Sequence, residues 1–124
     1  QKDLPAPPVV RDPAAEAQLR LRAAEWVRAR LDEDGAGLWA MTDPSDHEFF
    51  DEDAYLEREI VRKRTLEGEL QWTEVVGDRG RVRVAYLSKP IDPNMTKIAP
   101  QWTQEIESWV RVDGVWYYDL SAAR

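Results

Sequence analysis

The 124 residues predict an α+β domain, with N-terminal helices packed on a curved antiparallel four-stranded sheet. Three observations carry that expectation. Apolar residues recur at helical spacing through the first half of the chain; from Leu66 onward they alternate as in strands; and glycine turns near Gly80 and Gly114 separate the strand-like runs.

The first helix opens at Asp12-Pro13, an N-cap acid followed by proline at the first helical position, and Gly35 supplies a stop. It is expected from Pro13 to Leu31 or Glu33. Leu19, Ala23, Trp26, Val27 and Leu31 form one apolar stripe, while Arg20, Arg22 and Arg28 turn to solvent. A turn-rich connection, GLWAMTDPSDHEFF, follows, in which Ser45 and Glu48 suit a capping box for one helical turn. The second helix is expected from Glu52 to Thr65, with Leu56 and Ile60 inward. Its acids Asp51, Glu52 and Asp53 stand at the start and Arg62, Lys63 and Arg64 at the end, matching the helix dipole. Strands are expected near Glu69–Val76, Arg81–Ser88, Gln101–Val112 and Val115–Leu120. The three prolines of KPIDPNMTKIAP make the stretch between the second and third a long loop.

Strand register decides which side chains face inward. A two-residue turn at Asp113-Gly114 pairs Val110 with Tyr117 and Arg111 with Trp116, leaving both sheet faces mixed. A three-residue loop with Gly114 left-handed instead pairs Val110 with Trp116, Ser108 with Tyr118 and Ile106 with Leu120, so that one face is almost wholly apolar. Burial favours the second, because a one-residue slip exchanges the faces. The same loop at Gly80 gathers Leu70, Trp72, Val76, Val82, Val84 and Tyr86 on the inner face. Trp26, Trp72 and Trp116 are then expected to dominate the core, with Trp109, Tyr117 and Arg111 on the outer face.

Composition narrows the function. Twenty-four acids against 17 bases give a net charge of −7, which repels nucleic-acid phosphates. No stretch approaches the roughly 18 continuous apolar residues of a membrane span. Cysteine is absent, which excludes disulfides and thiolate metal sites. Four prolines in the first thirteen residues suggest an extended tether over residues 1–12 ahead of a single domain at 13–124. They also suggest an exported bacterial protein, periplasmic or at the cell surface, such as a lipoprotein body, with a cytoplasmic location as the alternative.

The order of elements, the acidic-to-basic second helix and the closing pattern SWVRVDGVWYYDL resemble the nuclear transport factor 2-like (NTF2-like) superfamily, the cone-shaped cystatin-like fold. Trp116 matches the family's frequent aromatic two residues after the turn glycine. The resemblance implies a pocket at the wide end of the cone, and related folds commonly dimerise through the outer sheet face.

Candidate site residues follow from the expected register. Trp72, Glu74, Tyr86, Trp102, Gln104, Ser108, Trp116 and Tyr118 line the cone as a ligand-binding set, mixing polar groups among aromatics that a closed core would disfavour. Glu74, flanked by Trp72 and Val76, is the sharpest candidate for proton transfer, with Tyr86 and Tyr118 as hydrogen-bond donors. Its bland alternative is an ion pair with an arginine. His47 neighbours Asp46 and Glu48, but adjacent residues seldom face each other, so a surface turn is the favoured reading. Residues 43 to 59 hold eight acids and one arginine without the spacing of a calcium loop. Neither a metal nor any other cofactor is expected. Two functions remain. One is a non-catalytic domain that binds a small apolar ligand in the cone or docks a second copy or another protein through Trp109, Tyr117 and Arg111. The other is an isomerase, dehydratase or cyclase-type enzyme with Glu74 as general base, although the acid and histidine patterns of such relatives cannot be placed in this chain.

Overall fold

The computed structural model describes residues 12–91 and 98–123. The tether expected over residues 1–12 lies outside them except for Asp12, as do residues 92–97 of the loop expected between the second and third strands. Asp12 caps the first helix, α1 (Pro13–Leu31), by accepting a 3.1 Å hydrogen bond from the Ala15 amide. Ala15, Leu19, Ala23, Trp26, Val27 and Arg30 share its buried face. Its stop comes earlier than Gly35. The amides of Asp34 and Glu33 donate to the carbonyls of Ala29 and Arg30, the paired bonds of a Schellman ending. Glu33 takes the left-handed position, at φ 55°. Gly35 instead begins a short helix, α2 (Gly35–Ala40), capped by Asp34.

A 3₁₀ turn, Pro44–Glu48, follows; Asp43 caps it, not Ser45. The expected second helix is shorter than its charge pattern suggests. Helix α3 (Glu52–Leu56), capped by Asp51, widens into a π-helical turn over Glu57–Val61, and strand β1 has begun by Lys63. Tyr55 is its buried anchor, while Leu56 and Ile60 are partly buried against the core.

Four strands, β1 (Lys63–Val76), β2 (Arg79–Pro90), β3 (Gln101–Val112) and β4 (Val115–Tyr118), form an antiparallel meander in the order β1-β2-β3-β4. Helix α1 packs across one face of β1 and β2. The expected α+β layering is therefore present, with the helices on one side of a curled sheet.

The register differs from the expected one at both hairpins. Asp113 and Gly114 form a two-residue turn with φ values of 52° and 79°, the left-handed pair of a type I′ turn, whose twist matches that of the flanking strands. Val112 pairs with Val115, Arg111 with Trp116, Val110 with Tyr117 and Trp109 with Tyr118. The first hairpin closes through Gly77 and Asp78, with Gly77 at φ 62°. Gly80 has no left-handed role. It faces Val75 in the ladder and lies directly beneath α1, where an added Cβ would stand 2.5 Å from a Leu19 methyl carbon. In β1 a bulge lies between Leu70, opposite Val84, and Trp72, opposite Arg83. An extra residue reverses the alternation, so Leu70 faces inward while Trp72, Glu74 and Val76 face outward, and Thr73 and Val75 are buried in their place.

Trp109 thus moves from the expected outer face to the core, where it is fully buried. It meets Trp26 edge-to-face at 5.6 Å, and Tyr118 stacks on Trp26 at 4.4 Å. Trp116 is buried as expected, whereas Trp102 and Ile106 face solvent at 53% and 56% exposure.

Candidate functional site

Alternation along β3 carries Glu105, Glu107, Trp109 and Arg111 to the face under α1. Glu107 is 2% exposed, and a carboxylate in that position requires donors. Two elements supply them: Trp26 Nε1 of α1 donates to Glu107 Oε2 at 3.1 Å, and the Tyr86 hydroxyl of β2 donates to the same oxygen at 2.8 Å. The other oxygen, Oε1, is buried without a partner among the described residues. Burial pushes the Glu107 carboxyl up to about 7, and nearby Glu105 adds to the rise, against the opposing influence of Arg30 and of the Tyr86 and Trp26 hydrogen bonds.

Arg30, 5% exposed, lies with its guanidinium carbon 5.5 Å from the Trp26 ring centre and 5.3 Å from that of Tyr86. Burial opposes its charge, yet Tyr86, Glu59, Tyr55 and Glu107 together hold it above its ordinary range. Its Nη2 donates to Glu59 Oε2 at 3.2 Å, and Lys63 approaches the same oxygen at 3.5 Å. Although burial opposes ionisation of Glu59, Arg30 and then Lys63 hold its carboxyl below the usual range. Burial, foremost, raises the hydroxyls of Tyr55, Tyr86 and Tyr118. The result is a polar centre inside the cone in which α1, the α3 region, β2 and β3 converge on one acid. Chemically it is an acid titrating near neutrality beside a phenol and a fixed cation, and it is sealed from solvent.

A second buried network pins the C-terminal turn. Asp46 Oδ2 accepts from the Leu120 amide at 3.0 Å, and Asp119 accepts from Arg79 at 3.0 Å and from Ser121. Burial, chiefly, raises the Asp46 carboxyl. His47 stacks on Trp39 at 4.1 Å with Nε2 2.6 Å from Thr42 Oγ1. The Thr42 hydroxyl has one proton, and the Trp39 carbonyl stands equally close at 2.6 Å. With that proton directed to the carbonyl, His47 Nε2 donates to Thr42, which makes the histidine a local clasp. Asp46 instead accepts from the Leu120 amide. Among the described residues no group of three or more His, Asp or Glu side chains is placed to hold a metal ion, and no helix is long and apolar enough to cross a membrane.

Solved structures match this arrangement along most of its length. A SEC-C motif containing protein from Rhodopseudomonas palustris aligns at TM-score 0.61 and 23% identity, over 86% of this chain and 77% of that one. An NTF2-like protein of unknown function from Pseudomonas putida aligns at 0.63 and 17%, over 88% and 84%. The fold is NTF2-like. A SEC-C motif containing protein from Psychrobacter arcticus aligns at 0.62 and 14%, over 83% of this chain but only 59% of its own. No protein-family model matches the sequence, and no curated protein matches it.

Within this NTF2-like cone the expected site residues divide between the two faces. Tyr86, Trp116 and Tyr118 lie on the inner face, where Trp26, Trp109 and Tyr118 pack ring against ring. Trp72, Glu74, Trp102, Gln104 and Ser108 lie on the outer face. Glu74 is 43% exposed and accepts from Arg81 at 2.8 Å, the ion pair that was its bland alternative. Arg83 donates to Gln104. The sheet therefore separates Glu74 from Tyr86 and Tyr118, so the expected base and donors are not brought together. Of the expected interface set, Trp109 is in the core and Arg111 clasps the first hairpin, donating to Asp78 and the Gly77 carbonyl beneath the Trp116 ring. Tyr117, on edge strand β4, is half-buried with Arg22 5.9 Å from its ring centre. Glu107 and Arg30 were missed. Arg30 lies on the Trp26 stripe, four residues on, and Glu107 shares a strand face with Trp109; the Asp-Gly dipeptide, which favours type I′ turns, was the available signal for both the face and the acid.

Proposed function

We propose that this is a non-catalytic domain that associates with a second copy of itself through its outer sheet face. The carrying observation is that Trp102 and Ile106, at 53% and 56% exposure, flank Gln104 along β3 on the face that the helices leave bare. Val76 is also exposed, with Trp72, Leu87 and Tyr117 partly so. Exposed aromatic and aliphatic side chains gathered on one face mark association sites. Charge balance favours a second copy as the occupant. The chain is at −7, but the charges across the middle of this face are Arg79, Arg81 and Arg83 against Glu67, Glu69 and Glu74. Two copies can meet there without the repulsion that the rest of the surface imposes.

The sealing of Glu107 supports a non-catalytic reading, because a general base must reach its substrate. Sedimentation equilibrium tests the proposal. The wild type is expected at twice the chain mass and Ile106→Glu at the chain mass with an unchanged circular dichroism spectrum. A wild type that stays monomeric at high concentration defeats it. Export, suggested by the proline-rich first residues, remains part of the proposal and is checked by cell fractionation.

A further inference from the structure

Arg30 Nε, the Tyr55 hydroxyl and Glu107 Oε1 are buried polar atoms without a hydrogen-bond partner among the described residues. Their residues are 5%, 3% and 2% exposed, so bulk solvent does not reach them, and an unpaired polar atom in such a place is costly. The three belong to one interior. Arg30 lies over the Trp26 and Tyr86 rings, whose indole N–H and hydroxyl both donate to the other Glu107 oxygen, Oε2. The charges of Arg30 and Glu107 in turn both act on the Tyr55 hydroxyl, which α3 contributes. With Oε2 already accepting twice, the proton of the neutral acid sits on Oε1. Oε1 is therefore a donor when Glu107 is neutral and an acceptor when it is ionised, while Arg30 Nε–H only donates and the Tyr55 hydroxyl does either.

We infer that a single buried water bridges Arg30 Nε, the Tyr55 hydroxyl and Glu107 Oε1. The three atoms define its chemistry. Arg30 repels a cation, and Glu59 and ionised Glu107 repel an anion, so the bound species is neutral. It must donate and accept, because Oε1 changes role on titration while Arg30 does not. Water does both by turning: it accepts from Arg30 throughout, accepts from Oε1 when the acid is neutral, and donates to Oε1 when the acid is ionised. About three protein partners is the usual complement of an internal water. The water ties α1, α3 and β3 together at the one acid, and the site is independent of the outer-face association.

Tyr55→Phe tests this through the direction of its effect, since it deletes the hydroxyl and keeps the ring. A hydroxyl bonded to water is a lost hydrogen bond in the variant, so the urea midpoint is expected to fall by about 0.5 M. A hydroxyl without a partner is a buried polar group removed, and the midpoint then rises. The fall is expected both below and above the Glu107 titration, because the water serves both states of the acid. A crystal structure of the wild type is expected to show an oxygen about 2.7 to 3.2 Å from each of the three atoms. A Tyr55→Phe midpoint that rises or stays unchanged at either pH overturns the inference. So does a crystal structure in which Arg30 Nε or the Tyr55 hydroxyl bonds directly to Glu107 Oε1 with no oxygen between them.

Discussion

Replacing Glu107 by glutamine isolates the electrostatics of the buried centre, since glutamine retains an oxygen for Trp26 Nε1 and the Tyr86 hydroxyl but cannot ionise. Burial raises the Glu107 carboxyl from 4.5 to about 7 in the folded protein. The folded state therefore keeps a proton that the unfolded chain releases, and stability falls as pH rises from about 4.5 to about 7, levelling off above that. At about 1.4 kcal/mol per pKa unit the loss across this window is roughly 3 kcal/mol. Glu107→Gln is expected to remove that component, while the opposite shifts of Asp46 and Glu59 act equally in both proteins. Urea denaturation at several pH values between about 5 and about 8 measures the two slopes. The wild-type midpoint should drop relative to that of Glu107→Gln as pH rises. Parallel curves would show that Glu107 already carries its charge in the folded state, and the account of the centre would be wrong.

Two glycines make contrasting predictions for the same substitution. Gly80→Ala places a methyl 2.5 Å from the Leu19 Cδ2 carbon and 3.2 Å from the Trp116 ring, so overpacking of about 1 to 3 kcal/mol is expected by thermal unfolding; an unchanged midpoint would mean that α1 does not press on β2 there. Gly114→Ala meets nothing within 4 Å but must adopt φ 79°, so a backbone cost of about 1 kcal/mol is expected. A loss above the Gly80→Ala value would count against the turn assignment.

The helical half of the molecule was legible because its signals are local. Asp12-Pro13 and the Leu19–Ala23–Trp26–Val27 stripe need no partner to be recognised, and α1 ends at Leu31 as its periodicity indicates. The Schellman ending escaped notice because Glu33, an ordinary helix former, takes the left-handed position that glycine usually fills. The π-helical turn after α3 likewise leaves no periodic trace, yet it comprises Glu57–Val61, including Glu59, the partner of Arg30.

By itself the sequence determined the layering: an amphipathic helix, then four alternating strands joined in order, whose single apolar face had to meet that helix. Only the tertiary structure decided which strand face this was. Alternation has two equivalent phases, and counting apolar residues chose the phase with Ile106 and Val110 inside. In the folded protein, α1 brings Trp26 Nε1 and Arg30 onto the sheet, so Glu107 is stabilised by a donor and a cation that the strand sequence does not contain. The β1 bulge after Leu70 reverses the phase once more, turning Glu74 out to Arg81. A polar residue inside a core is acceptable only when distant groups satisfy it, and those groups are known only once the chain has folded.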